Sequence, residues 1–95
     1  SNVYQLDIDY ELSVTAYAAG DLHQGYESCR HLLLLNVREA LTTVTMQNMW
    51  LYREHAQTET REVLEQLVAV MQSYAAQGGR LAEVTEYFAD ILKNR

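Results

Sequence analysis

Two sets of side chains in this 95-residue sequence have the types that could do chemistry. Asp7-Ile8-Asp9 places two carboxylates one residue apart, a spacing able to share an oxygen-ligated divalent cation. The same acids also complement the positive end of a helix starting beside them, and a metal and phosphate site would need a strand and a pocket for which the chain has no room. His23, Cys29 and His31 are the only soft-ligand set. A helical metal site wants ligands three or four residues apart on one face, whereas the two histidines are eight apart and Cys29 falls on a core stripe. A structural thiol and two surface histidines are the expectation. No Ser, His and acid arrangement emerges from spacing, so no catalytic residue, cofactor or metal is assigned.

The elements carrying these residues read as helices. Proline is absent and the glycines sit only at 20, 25, 78 and 79, which concentrates backbone punctuation in two places. The fold class is therefore all-α, four or five helices in antiparallel hairpins. A first helix is expected from about Asp9 to Ala19, closed by Gly20. Asp21 with Gln24 three residues on forms a capping box opening the second. There Leu22, Gly25, Tyr26, Cys29, Leu32 and Leu33 draw one apolar stripe toward the first helix. A third helix is expected from about Arg38 to His55, with apolar residues on more than one face. The polar stretch Arg53 to Glu62 fits either a connection or an exposed helical continuation. Leu64, Leu67, Val68, Met71 and Tyr74, then Leu81, Val84, Phe88, Ile91 and Leu92 beyond Gly79, make a second hairpin. The organisation is one domain, with hairpins at about 9–36 and 63–94 joined by a helix at about 38–55.

Composition limits the partners. Thirteen acidic residues against seven basic ones give a net charge of −6, which works against nucleic acid and anionic membranes. The longest aliphatic run, Leu32 to Leu35, is far below the roughly 20 residues of a membrane span. A single cysteine makes no intrachain disulfide, favouring a reducing, cytoplasmic setting. The chain opens Ser1-Asn2 without Met, as either an artificial leading dipeptide or a mature fragment would, so a place within a longer protein is one expectation. The acids from Glu54 to Glu65, with Glu83, Glu86 and Asp90, read as a solvated face around Arg53 and Arg61, with steering of a basic partner as its functional alternative. Met46, Met49 and Trp50 read as core before partner-binding patch. Tyr17, Tyr26 and Tyr74 read as fillers between helices, although tyrosine is also favoured at contact surfaces.

The segment from Gly20-Asp21-Leu22 through Gly25, Cys29 and Leu32 to Asn36 resembles the second helix of a tetratricopeptide repeat: a Gly-Asp turn, a small residue at Gly25 and a bulky one at Cys29. It departs from that family at Leu32, usually small, and at Val37, usually proline. A small residue at Gly25 lets two helices approach closely. The succession Glu11-Leu12-Ser13-Val14, Ala16-Tyr17, Gly20, Gly25, Cys29, Leu32-Leu33, Asn48 and Tyr52 is similar to helical-repeat segments attached to some bacterial and viral glycosyltransferases. The resemblance implies a concave surface carrying Tyr10, Ser13, Tyr17, Asn48 and Tyr52 as peptide contacts. The expected function is a non-catalytic interaction domain, an accessory helical segment of a bacterial glycosyltransferase that positions a substrate protein or dimerises. The alternative is a free-standing acidic binding protein, a secretion chaperone or immunity protein holding an amphipathic helix or a basic surface.

Overall fold

Tyr17 and Gly20 close the first helix through a paired turn: Asp21 N–H bonds the Ala16 carbonyl at 2.9 Å and Gly20 N–H the Tyr17 carbonyl at 3.0 Å. Gly20 takes φ 76° there, the left-handed position that this motif gives to glycine. The computed structural model describes residues 3–95, all-α among those residues, with five α-helices: α1 Val3–Thr15, α2 Leu22–Leu35, α3 Glu39–Met49, α4 Arg61–Gln72 and α5 Gly79–Lys93. The first helix thus starts six residues before Asp9, the expected start. At Asp21 the cap forms, with Oδ1 accepting the Gln24 N–H at 3.1 Å. Its reciprocal half does not, because the Gln24 side chain instead donates to Ser28 Oγ at 3.1 Å.

The polar stretch left open by the sequence is helical but wound tighter. Beyond Met49 the chain continues as a 3-10 helix, Trp50–Thr58, and Thr60 then caps α4 by accepting the Val63 N–H at 3.3 Å. Residues three apart eclipse in such a helix, so one edge carries Tyr52 and His55 along α2. Tyr52 meets Gly25, and His55 stacks on Tyr26 with ring centroids 5.8 Å apart. Arg95 holds the far end of this segment by donating to the carbonyls of Ala56, Gln57 and Glu59, cations at a helix C-terminus being favourable.

Packing follows from these faces. The α2 helix, α3 with its 3-10 extension, α5 and α4 close into a ring, and α1 lies outside it against α2 and α3. The ring encloses Cys29, Leu33, Met46, Met49, Tyr52, Leu64, Leu67, Met71, Val84 and Phe88. Met46 and Met49 are thus core. Trp50 is half-buried at the edge, with the guanidinium of Arg53 3.9 Å and that of Arg80 4.5 Å from its ring centre. Arg53 therefore stacks on an aromatic ring, and Leu22, assigned to the core stripe, is 39% exposed.

Gly25 is a point of close approach, but the group it admits is the Tyr52 ring and not the first helix. A Cβ on residue 25 would lie 2.1 Å from Tyr52 Cε1 and 2.2 Å from Cζ. Glycine to alanine inside a helix ordinarily stabilises by up to about 1 kcal/mol. Here Gly25→Ala is expected to cost about 1–3 kcal/mol in urea unfolding through overpacking. In a Tyr52→Ala background the same change should be neutral or stabilising. Equal effects in both backgrounds would contradict the contact.

Candidate functional site

Both α1 and α3 rest on α2, and their outer edges diverge to leave an open groove of about 510 Å³. Leu6 and Tyr10 form the α1 wall, Val37, Ala40, Leu41 and Val44 the other, with Asp7 and Arg38 among the lining residues. Val14 follows Tyr10 by four residues on α1, while Tyr17 and Leu51 lie past the ends of α1 and α3, in the turn after Thr15 and in the 3-10 segment. Large apolar side chains are uncovered here: Val14 is 47%, Tyr17 53%, Val37 53% and Leu51 40% exposed.

The structure brings all five sequence-derived candidates into one hydrogen-bonded knot, Tyr10 and Tyr17 through their backbone groups. Ser13 Oγ donates to the Tyr10 carbonyl at 2.6 Å and accepts from Asn48 Nδ2 at 3.4 Å. The Tyr52 hydroxyl donates to the Ser13 carbonyl at 3.0 Å and accepts the Tyr17 N–H at 3.1 Å. In a regular helix those two backbone groups would bond each other. The phenol oxygen therefore stands in one rung of the ladder, a side-chain insertion that ends the α-helix at Thr15. The Tyr17 and Tyr52 rings also meet edge to face, with centroids 6.5 Å apart. This corrects the expectation of a peptide-lining surface at Ser13 and Tyr52, which are 0% and 1% exposed. They fasten α1 to the 3-10 segment, and of the five candidates Tyr10 lines the groove while Tyr17 is exposed in the turn after α1.

A second cluster had no clear sequence signal. Glu59, grouped with the solvated acids, is 8% exposed and turns inward. It accepts the Tyr26 hydroxyl at 2.6 Å, Arg30 Nη1 at 3.2 Å and the Thr60 N–H at 3.3 Å, tying α2 to the turn before α4. His23 and His55 extend this column, their ring centroids 6.0 Å apart. Tyr26 spaced four residues before Arg30 on the buried side of α2 was the only hint that an acid must face them. Asp7 and Asp9 part company: Asp7 is exposed, while Asp9 is buried and paired with His31 Nδ1, so His31 joins α1 to α2 and is not a free surface histidine.

Burial pushes the Tyr26 phenol far above its ordinary range, the bond to Glu59 and its charge adding to the effect while Arg30 opposes it. Burial likewise raises the Cys29 thiol, which leaves it protonated and unsuited to nucleophilic attack, and it raises Tyr52. Among the described residues no group of three or more His, Cys, Asp or Glu could hold a metal ion, and no helix is long and apolar enough to cross a membrane. No protein-family model, no curated protein and no solved structure matches the chain.

The raised phenols make stability depend on alkaline pH. The folded state keeps protons on Tyr26 and Tyr52 that the unfolded chain releases above about pH 10, so their contribution is intact below that pH and is lost as pH rises further. The urea midpoint should fall between pH 9 and 11, with tyrosinate absorbance at 295 nm from these two rings rising only as the protein unfolds. Tyr26→Phe should flatten the fall, and an unchanged slope would contradict the assignment.

Proposed function

We propose that this domain is a non-catalytic protein-binding module whose α1–α3 groove accepts the apolar face of a helix. The observation behind this reading is the groove itself: an open hollow of about 510 Å³ with apolar side chains on both walls, Leu6 and Tyr10 four residues apart on α1, and Val37, Ala40, Leu41 and Val44 at three- and four-residue steps opposite them. Exposed tyrosine and valine around an apolar hollow is the surface that protein partners cover. The Ser13–Asn48–Tyr52 bonds and the Asp9–His31 pair fix α1 on its neighbours, so a ligand would meet a preformed site. The tetratricopeptide-like segment Gly20 to Asn36 supports the same reading from sequence, and an accessory helical segment of a bacterial glycosyltransferase is the setting we favour for it. The buried, protonated Cys29 thiol suits a reducing cytoplasm.

A second reading rests on a separate surface. On α5 the exposed Glu83, Glu86 and Asp90 surround Trp50 and Tyr87 in a shallow hollow of about 300 Å³. An acidic chaperone or immunity protein would use such a face to attract a basic partner.

A photo-crosslinking amino acid at Tyr10 or Val37 tests the main reading, with the exposed α4 position Gln66 as control. The groove positions should give a discrete protein adduct whose mass identifies the occupant, and Leu41→Glu should abolish it while leaving the circular dichroism unchanged. Adducts of equal yield from Gln66, or none from the groove, would overturn it.

A further inference from the structure

We infer that the occupant of the α1–α3 groove is a second copy of this chain, docked about a two-fold axis. This rests on the binding reading above and deepens it. Three observations point the same way. First, the groove lining carries one anion and one cation on opposite walls, Asp7 on α1 and Arg38 at the start of α3. Both are exposed, and among the described residues neither makes an ion pair. A two-fold axis repeats every contact, so it can set Asp7 of each copy opposite Arg38 of the other and satisfy all four charges at once.

Second, Arg38 stands at the positive end of α3 and makes no side-chain cap bond there, the first-turn acid Glu39 being the group that complements the helix end, so the guanidinium is left for the groove. Third, the groove is locally neutral while the chain is strongly acidic. The exposed acids at Glu62, Glu65, Glu83, Glu86 and Asp90 belong to α4 and α5, and Glu11 and Glu39, although on α1 and α3, are not among the lining residues, so the lining itself does not select a basic helix by charge. What it offers is apolar lining on both walls, Leu6 and Tyr10 on one and Val37, Ala40, Leu41 and Val44 on the other. The same surface thus supplies apolar area together with both charge signs, as a self-complementary isologous interface requires.

Sedimentation of the purified chain as a function of concentration, with charge reversals at the two exposed positions, tests this. The native chain should dimerise. Asp7→Arg alone places four cations along the interface and Arg38→Asp alone four anions, so each should weaken self-association at least tenfold. Mixing the two variants in equal amounts should restore a dimer, since each then offers what the other lacks, and the doubly reversed chain should dimerise by itself. Circular dichroism should be the same throughout. A chain that stays monomeric to about 1 mM, or a dimer indifferent to these reversals, overturns the inference. A groove crosslink to a different protein, with the chain monomeric, overturns it while leaving the binding reading intact. Absence of any groove adduct overturns both.

Discussion

The phenol of Tyr52 is the constraint on which the arrangement of helices depends. Its ring lies where a side chain on Gly25 would have to be, and its hydroxyl completes the hydrogen bonding of two α1 backbone groups that have left each other. One residue thus fixes the distance from α2 to the 3-10 segment and the end of α1. Neither half works alone. Without glycine at 25 the ring cannot reach α1, and without the hydroxyl the Ser13 carbonyl and Tyr17 N–H would lose the partner that joins α1 to the 3-10 segment.

The tighter winding of Trp50–Thr58 follows from the same demand. A 3-10 helix rises about 2.0 Å per residue against 1.5 Å in an α-helix, and keeps residues three apart in line. That stretches the segment along α2 and brings Tyr52 and His55 to Gly25 and Tyr26 in turn. Runs of this length are uncommon, because their hydrogen-bond geometry is poorer. This one is held by side chains on its flanks: Arg53 donates to the Trp50 carbonyl at 2.6 Å, and Arg95 closes the far end. Among the described residues every buried side-chain nitrogen or oxygen has a partner, so the tight winding leaves no polar side chain stranded.

Periodicity made the helices legible. Leu64, Leu67, Val68 and Met71, and Leu81, Val84, Phe88 and Ile91, are buried as their spacing required, because an amphipathic stripe reports burial directly. Asp21 and Gly20 were legible for local reasons, a cap and a left-handed turn. Glu59 was not. A carboxylate among surface acids turns inward only because a tyrosine and an arginine 33 and 29 positions earlier converge on it, and no local pattern encodes such convergence. The same limit explains Ser13, Asn48 and Tyr52: their proximity was legible, but whether they face a ligand or each other depends on where α1 ends. The early start of α1 escaped because its apolar residues are scattered around the helix, leaving no stripe to read.

How α1 is anchored also explains why its outer edge is bare. Its buried contacts include polar ones, Asp9 to His31 and Ser13 to Asn48 and Tyr52, with Ala16 as a small buried filler. Directional bonds hold a helix at a set height over its neighbours. Leu6 and Tyr10 are left lining the groove opposite α3. Had α1 been fastened by a leucine stripe, those side chains would have been spent on the core and the groove would have closed. An outer helix pinned by polar bonds keeps its apolar edge for another surface to cover.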